Sequence, residues 1–465
     1  MTCIQLYLFE LSGCNFINIM NTMRKYYLLI AMIILGNCTD AVGQMTTRIV
    51  RDSLNIPWEL VYGPDDKIYF TQKNGWICRL DPVSGQIDTL YHETNTYNSG
   101  EGGMLGMALD PGFPTQPYIY VAYNYTSSGT KERVVRYTYT GNTLGSPLTL
   151  IEDIAGSGIH NGCRLLIING KLFITTGDAS NQSLPQNLQS VNGKVLRLNL
   201  DGTIPSDNPV PGNPVWSWGH RNSQGLVYAN GKLYATEHGP NDNDEVNIIE
   251  KGRNYGWPTV HGFCDLPTEI TFCNDSNVVE PLIAWTPTLA VCGLDYYNHP
   301  MFPAWQNSLL MTTLKDQDLY LLKLNSTFDS IVSTSIIINN TFQRLRDVCV
   351  APNGKVYIST SNAGNNKIIE IYDPTFVSVE NISKSDEITI YPNPAGDYTI
   401  IRLPDGLKTD PMPYAITNEE GKVVAKGTIT SNNTSIPTKR LASGVYTISI
   451  TGPAGKIYTG KIMKH

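Results

Sequence analysis

The sequence predicts an all-β protein: a six-bladed β-propeller followed by a small C-terminal β-sandwich. Its 465 residues are rich in Gly (40), Pro (28) and Tyr (26), and only 16% of them are charged. This composition is typical of many short strands joined by tight turns. No segment has a long 3.6-residue apolar period, so we expect few helices. A net charge of −7 without a basic run argues against nucleic-acid binding.

Six copies of one pattern predict the blades over residues 44–373. In each copy a turn with Gly, Asp or Asn leads into a short apolar and aromatic strand, and equivalent positions are Ile68, Ile119, Leu172, Leu233, Leu309 and Val356. The successive intervals are 51, 53, 61, 76 and 47 residues. Repeated units of about this length are typical of a propeller, because one four-stranded sheet cannot bury both faces alone. A two-sheet sandwich is the alternative, but six evenly placed units argue against it.

The interval of 76 residues marks an insertion in the fourth repeat. Insertions in repeat proteins collect on one face, and that face often binds a ligand.

Residues 1–43 carry an export signal. The basic residues 24–25 precede an apolar run over 26–35, and the small residues of 41–43 form a cleavage site. This arrangement predicts a secretory signal peptide that starts at Met23. The run is too short for a comfortable membrane span, so we expect none.

The cysteines fit an exported protein. Six remain after the leader is removed, and they are Cys78, Cys163, Cys264, Cys273, Cys292 and Cys349. An oxidising compartment and an even count permit three disulfides, and Cys264–Cys273 closes the shortest loop. Buried thiols are the alternative. A lipoprotein signal at Cys38 is also conceivable, but the preceding Asn37 fits it poorly.

The chain changes character after the predicted propeller. Residues 374–385 form a Ser-containing linker, and residues 386–465 alternate short strands with Gly turns, which predicts a β-sandwich. The segments 388–395, 421–446 and 460–464 resemble the C-terminal sorting domain of the bacterial type IX secretion system. The resemblance implies that type IX machinery delivers the protein to the medium or the cell surface. An ordinary carbohydrate-binding or adhesive sandwich is the alternative.

Residues 219–258 hold the densest polar stretch, at predicted strand ends that open onto the faces of a propeller. Four carboxylates in and after it offer hard oxygens, and they are Asp242, Asp244, Glu245 and Asp265. With backbone carbonyls, such a set suits Ca²⁺ better than a transition metal. A solvated acidic turn is the alternative interpretation.

A base and three cations complete the candidate chemistry. His160 lies in a Gly-flanked turn and can accept a proton near neutral pH, although a lone His is more often structural. Arg344 and Arg346 share one face of a strand, with Lys315 as a third cation. Two neighbouring guanidinium groups repel each other unless an anion lies between them. They therefore indicate a polycarboxylate or phosphate ligand, or, in the simpler alternative, surface salt bridges.

Together these stretches resemble the soluble PQQ-dependent glucose and aldose dehydrogenases, the glucose/sorbosone dehydrogenase family. The resemblance spans roughly residues 55–370, in family order. Its motifs are Pro57-Trp58-Glu59, Gly100 to Gly106, His160-Asn161-Gly162-Cys163-Arg164, Gly219 to Leu226, Glu237 to Glu245, Asn254 to Pro258, and Arg344-Leu345-Arg346-Asp347.

The resemblance implies catalytic roles. His160 would be the general base that takes a proton from the anomeric hydroxyl of an aldose, while a hydride passes to pyrroloquinoline quinone (PQQ). Arg221 would stabilise the negative charge that develops on the quinone. A calcium ion, bound by the carbonyls of Gly239 and Pro240, would act as a Lewis acid.

The resemblance also implies binding roles. The residues that would contact the cofactor are Asn222, Gln224, Trp285, Lys315, Arg344 and Arg346. The residues that would lie near the substrate are Glu101 and Gln182. Structural calcium would be bound by Glu245, Asp265 and the carbonyls of Tyr255, His261 and Phe263.

The chain departs from the family pattern near the substrate. Glu101 stands where glucose-oxidising members carry Gln, and Ile159 replaces an acidic residue, so the sugar need not be glucose. The segment 285–288 matches loosely. There is no haem-attachment Cys-x-x-Cys-His, so electrons would leave to an external acceptor.

The predicted function is therefore a secreted PQQ-dependent dehydrogenase that oxidises an aldose to a lactone. Two alternatives stay open. A calcium-dependent lactonase-type propeller would use the acidic cluster, but it has no use for three clustered cations. A non-catalytic propeller that binds glycans or proteins would not need His160 and Arg221 to converge.

Overall fold

The computed structural model describes residues 44–376, 388–403, 411–452 and 457–464. The predicted leader, and the predicted linker from residue 377 onward, lie outside the described residues. The chain divides into two compact units, Met1–Phe376 and Val377–His465. The all-β prediction is confirmed, since within the described ranges the helical segments are α1 (Pro267–Ser276) and a 3-10 turn (Pro303–Trp305). Neither is long and apolar enough to cross a membrane.

The first unit contains six antiparallel sheets of four strands. The chain begins with β1 (Thr46–Leu54), and the next sheet comprises β2 (Pro57–Tyr62), β3 (Ile68–Gln72), β4 (Trp76–Leu80) and β5 (Ile87–His92). The following sheet comprises β6 (Met104–Leu109), β7 (Tyr118–Ser127), β8 (Gly129–Tyr139) and β9 (Leu144–Ala155). The third comprises β10 (Gly162–Ile168), β11 (Lys171–Thr176), β12 (Lys194–Asn199) and β13 (Val215–Trp218).

The remaining sheets of this unit follow the same order. The fourth comprises β14 (Ser223–Ala229), β15 (Lys232–Glu237), β16 (Asp244–Ile248) and β17 (Ile283–Trp285). The fifth comprises β18 (Val291–Tyr297), β19 (Ser308–Thr313), β20 (Leu319–Leu324) and β21 (Ile331–Ile338). The sixth comprises β22 (Leu345–Val350), β23 (Val356–Thr360) and β24 (Asn366–Tyr372), and β1 completes it by pairing with β24.

The first strands of the six sheets contact one another in a closed cycle. β2 contacts β6, and the contacts continue through β10, β14, β18 and β22, which returns to β2. An inner strand such as β6 is almost entirely buried, whereas outer strands such as β9 and β21 are largely exposed. Because the first strand of the unit pairs with its last, backbone hydrogen bonds join the two ends of the cycle.

Local turn chemistry explains the hairpins that join the first and second strands. Asn169-Gly170 and Asn230-Gly231 have positive φ at both residues, between 49° and 78°. This conformation belongs to the two-residue hairpin turn that Asn-Gly favours. In each sheet the start of the first strand therefore lies beside the end of the second, as Gly162 does opposite Thr176. Residues that flank these positions share one side of the unit.

A buried ionic cluster joins three inner strands at the centre of the cycle. Nη1 of Arg164 lies 2.7 Å from Oε1 of Glu59 and 2.8 Å from Oδ1 of Asp347. The three residues belong to β10, β2 and β22, and the guanidinium of Arg164 also lies over the ring of Trp58. One cation thus contacts two buried carboxyl groups, which would be costly to bury as unpaired charges.

The insertion between β16 and β17 contains α1 and a disulfide between Cys264 and Cys273, as predicted from the short loop. The further disulfides that the even cysteine count permitted do not form. The other four cysteines of the described region are buried free thiols, and they are Cys78, Cys163, Cys292 and Cys349.

The second unit contains two antiparallel sheets. One comprises β25 (Thr389–Tyr391), β26 (Tyr398–Arg402) and β29 (Asn433–Pro437). The other comprises β28 (Val423–Ile429), β27 (Met412–Thr417), β30 (Gly444–Thr451) and β31 (Ile457–Lys464), in that spatial order. Inward-facing residues of both sheets form one apolar core, which includes Ile401, Ile416, Ile436 and Ile448.

Candidate active site

The predicted base is held by a carboxylate at the end of the neighbouring strand. His160 precedes β10 and Asp178 follows β11, so the hairpin geometry brings them together. Nδ1 of His160 lies 2.8 Å from Oδ1 of Asp178, and the His160 side chain is 13% exposed. Burial opposes ionisation of Asp178, but hydrogen bonds from His160, the Ser180 amide and the Trp257 indole lower its pKa. With Nδ1 engaged, Nε2 of His160 is the nitrogen left for a substrate proton.

Glu101 connects this base to the cations of the site. Its Oε2 accepts a hydrogen bond of 2.9 Å from the backbone N–H of His160. Burial alone would raise the pKa of Glu101, but attraction to His238, the His160 amide and Arg346 lowers it. The carboxylate is therefore charged at neutral pH. It also interacts electrostatically with Arg221.

Arg221 and Asn222 are oriented by Glu237, again across a hairpin. Both backbone amides donate to Oε1 of Glu237, at 2.9 and 2.5 Å. Nη1 of Arg221 donates to the carbonyl of His238 at 3.2 Å, and the guanidinium lies 5.1 Å from the centroid of the Trp257 ring. Burial lowers the pKa of Arg221, although Asp178 and Glu237 offset part of the effect.

Arg344 and Arg346 lie close enough to repel each other, as predicted from their shared strand face. Nη1 of Arg346 donates to Oε1 of Gln224 at 3.0 Å, and Nε of Arg344 donates to the Ser361 carbonyl at 3.1 Å. Burial and repulsion from Arg346 lower the pKa of Arg344. Neither arginine forms a salt bridge with a carboxylate of the described chain, so their charge is available to a ligand.

Three buried donors of the site have no partner among the described residues. They are Nε of Arg221, Nδ2 of Asn222 and Nε of Arg346. A buried donor without an acceptor costs free energy, so native proteins rarely leave three in one place. An anionic ligand with several acceptor oxygens would satisfy them.

Sequence reasoning missed Lys73, which adds a further cation. This half-buried residue follows β3, and burial and repulsion from Arg346 lower its pKa, while attraction to Glu101 opposes the shift. The repeats contain a pattern that could have identified Lys73, because several site residues come shortly after the second strand of a sheet. His238 and Lys73 directly follow the second strand of a sheet, and Asp178 follows one after a single residue, Gly177. The carboxylate of Asp178 and the indole of Trp257 were likewise not assigned a role.

Three other predicted site residues lie outside these contacts. Lys315 is exposed, and its Nζ donates to Oγ1 of Thr288 at 3.1 Å. Its neighbour Leu314 accepts a hydrogen bond from Arg344, which brings the Lys315 backbone beside the arginine pair. Trp285 packs against Tyr320, and Gln182 is exposed in the turn after Asp178.

The four carboxylates that the sequence offered for a metal do not meet at one point. Within the described residues no three Asp, Glu, His or Cys side chains converge on a metal-sized site. Asp244 is used structurally, because its oxygens accept hydrogen bonds from the backbone amides of Gly239, Leu289 and Ala290. Asp265 is exposed, and so is Phe263.

A small cavity lies among the residues predicted to bind calcium. Its volume is about 20 Å³, enough for a single water-sized sphere. Five of the predicted metal residues line it, and they are Gly239, Pro240, Glu245, Tyr255 and His261. The Glu245 carboxylate accepts hydrogen bonds from the Gly262 amide and Asn247, and burial raises its pKa to about 7. A carboxylate is the kind of hard oxygen ligand that Ca²⁺ prefers.

The chain is similar to known sugar dehydrogenases. Residues 54–370 match the family described as glucose/sorbosone dehydrogenase, and residues 389–465 match the secretion system C-terminal sorting domain. Quinoprotein glucose dehydrogenase B of Acinetobacter calcoaceticus is 31% identical over 410 residues, covering 68% of this chain and 86% of that protein. Aldose sugar dehydrogenase YliI of Escherichia coli K12 is 30% identical over 369 residues, covering 73% and 96%. The PQQ-bound aldose sugar dehydrogenase of Streptomyces coelicolor is 28% identical with a TM-score of 0.61, covering 71% and 98%.

Proposed function

Since the chain belongs to the glucose/sorbosone dehydrogenase family, we propose that it oxidises the anomeric carbon of an aldose to a lactone, with PQQ and Ca²⁺ as cofactors. One observation carries the proposal. Glu101 accepts a hydrogen bond from the backbone of the base His160 and interacts electrostatically with Arg221, Arg344 and Arg346, so base and cations surround one carboxylate. Neither alternative function requires this combination.

The chain supplies groups that fit PQQ, which is a planar tricarboxylate quinone. Arg344, Arg346 and Lys73 outnumber the carboxylates near them, which leaves positive charge for an anion. The buried donors of Arg221, Asn222 and Arg346 could each donate to an oxygen of the cofactor. Lys315 and Trp285 would complete the contacts at the rim. Gly239 and Pro240 would bind the calcium ion through their carbonyls. When bound, PQQ supplies the acceptor for a hydride and Ca²⁺ supplies a Lewis acid.

The chain's own contribution to the reaction is proton transfer and orientation. Nε2 of His160 takes the proton of the anomeric hydroxyl, and the imidazolium that forms is stabilised by Asp178. The Arg221 guanidinium would stabilise the negative charge that develops on the cofactor. Glu101 and Gln182 would contact the sugar hydroxyls. The sugar loses one proton and one hydride, which leaves a lactone.

We further propose that the six sheets are the blades of a propeller over residues 44–373. The closed cycle of inner strands and the pairing of β1 with β24 support this architecture. The second unit would be a β-sandwich that sorts the protein to the type IX secretion system, after a signal peptide has exported it. Removal of residues 386–465 should then retain the enzyme in the cells, as immunoblots of cells and medium would reveal.

Reconstitution tests the enzymatic proposal. The purified apo-protein is incubated with PQQ and Ca²⁺, separately and together, and dye reduction is followed across a panel of aldoses. Activity should require both additions and should yield a product two hydrogens lighter than the sugar. Activity without PQQ, or hydrolysis of a lactone in its absence, would overturn the assignment. The dye stands in for the external electron acceptor.

A further inference from the structure

Trp257 is hydrogen-bonded to the partner of the catalytic base. Its indole Nε1 donates to Oδ2 of Asp178 at 2.9 Å, while Oδ1 of the same carboxylate lies 2.8 Å from Nδ1 of His160. Trp257 is 6% exposed, and Asp178 is 1% exposed. The two oxygens of Asp178 are thus divided between the indole and the imidazole, in a setting where water competes little.

The indole is fixed on several sides. The backbone N–H of Trp257 donates to the Gly219 carbonyl at 3.0 Å, and its own carbonyl accepts from Nε2 of Gln186 at 2.8 Å. One neighbour of the ring is His261, stacked at 5.1 Å, and another is the guanidinium of Arg221, also at 5.1 Å. The ring also lines the small cation-sized cavity. Its position therefore depends on the loop that carries the proposed calcium ligands.

We propose that Trp257 is a positioning residue for the base: its N–H orients Asp178 toward His160 and limits how strongly that carboxylate holds the imidazolium. The inference rests on the proposed function, because it assigns His160 as the base. A carboxylate that accepts a hydrogen bond from an indole has less electron density to offer the imidazole. Without that bond Asp178 would attract the His160 proton more strongly.

The sign of the effect follows from the charges that face His160. These are Asp178 at Nδ1, Glu101 at the backbone amide and, beyond the two carboxylates, Arg221, His238 and Arg346. Loss of the indole N–H leaves all of these in place and removes a neutral donor from Asp178. Asp178 should then hold the protonated imidazole more strongly, so the acid limb of the activity profile should move to higher pH.

The test replaces Trp257 with Phe, which retains an aromatic ring against His261 and Arg221 but has no N–H. The matched control is Trp216→Phe, because the Trp216 indole N–H is buried without a hydrogen-bond partner. In Trp257→Phe we expect the acid limb of the kcat/KM profile to move up by roughly half to one pH unit. A merely structural loosening would lower kcat/KM at every pH and leave the midpoint unchanged.

A second readout needs no cofactor. Carbethoxylation of His160 in the apo-protein, followed by peptide mass spectrometry across pH, reports its midpoint directly. It should rise in Trp257→Phe by the same amount and stay unchanged in Trp216→Phe. In ¹⁵N-labelled wild type, the indole resonance of Trp257 should titrate with the His160 midpoint, which keeps the test open if the variant does not fold. An unmoved midpoint, or an indole resonance that ignores His160, overturns the inference.

These outcomes separate the inference from the proposed function. If wild type shows no PQQ-dependent oxidation, the proposed function fails, whatever the apo titrations give. If wild type is active and the His160 midpoint is the same in Trp257→Phe, the positioning role of Trp257 fails alone.

Discussion

Nη1 of Arg346 donates a hydrogen bond of 3.0 Å to Oε1 of Gln224, whereas Nε of Arg346 is buried without a partner among the described residues. The Gln224 amide thus holds Nη1 of the guanidinium, while Nε has no hydrogen-bond partner among the described residues. The guanidinium of Arg346 therefore retains a donor that a carboxylate can accept from.

Arg346→Lys should weaken PQQ binding by roughly ten- to a hundredfold, because Lys keeps the charge but loses the planar fork that matches a carboxylate. The measurement is a PQQ titration of the apo-protein, read by activity and by calorimetry. Arg253→Lys is the matched control, since Arg253 pairs with the exposed Glu250 far along the chain from the cation cluster. Equal affinities in the two variants would contradict the assignment.

Asp178→Asn should lower kcat/KM by roughly a hundredfold or more, because Asn cannot stabilise the imidazolium of His160 and favours the wrong tautomer. His160→Ala should be similarly impaired. PQQ affinity should change little in either variant, since neither residue belongs to the arginine pair. Asp207→Asn, which affects a carboxylate paired with Arg197, serves as control. Near-normal turnover in Asp178→Asn would exclude the proposed base.

Glu101→Gln should change the ranking of sugars rather than abolish turnover. The Gln oxygen can still accept the hydrogen bond from the His160 amide, but the charge that distinguishes this position is removed. Hydrogen bonds from sugar hydroxyls to a charged acceptor are stronger than those to a neutral one, so KM for individual aldoses should shift by roughly tenfold. Steady-state kinetics on a panel of aldoses measures the effect. A uniform change for every sugar would argue against substrate contact.

Glu59→Gln should become more stable relative to wild type as the pH rises. Burial raises the pKa of Glu59 to about 8 against the attraction of Arg164, and the nearby Asp347 adds to the rise. Between pH 4.5, the ordinary value, and about 8, the unfolded chain releases a proton that the native chain keeps. The free energy of unfolding of the wild type therefore falls across this window, and a neutral Gln escapes that loss.

The expected readout is a Tm difference between Glu59→Gln and wild type that grows in favour of the variant by roughly a few degrees from pH 5 to pH 8. Glu152→Gln is the control. The Glu152 side chain is half-exposed, and its ion pair with Arg133 is long, at 3.7 Å. A constant difference across pH would mean that Glu59 is ionised throughout.

Much of the site was predictable because its residues cluster in the sequence near turns. The Arg344/Arg346 pair follows from strand alternation, and the Cys264–Cys273 disulfide follows from a short loop. The acidic stretch does not have a single use. A carboxylate such as Asp244 can equally well accept backbone N–H groups from residues that are distant in the sequence. Composition cannot distinguish these two uses.

The all-β character and the six repeats were determined by the sequence alone, because turn residues and strand periodicity act locally. Tertiary structure decided which distant groups meet. The bond between Trp257 and Asp178 joins residues 79 positions apart, and the approach of Lys73 to Arg346 crosses from the first sheet to the last. Such contacts exist only once the inner strands have closed into a cycle, since no local preference encodes the distance between separate sheets.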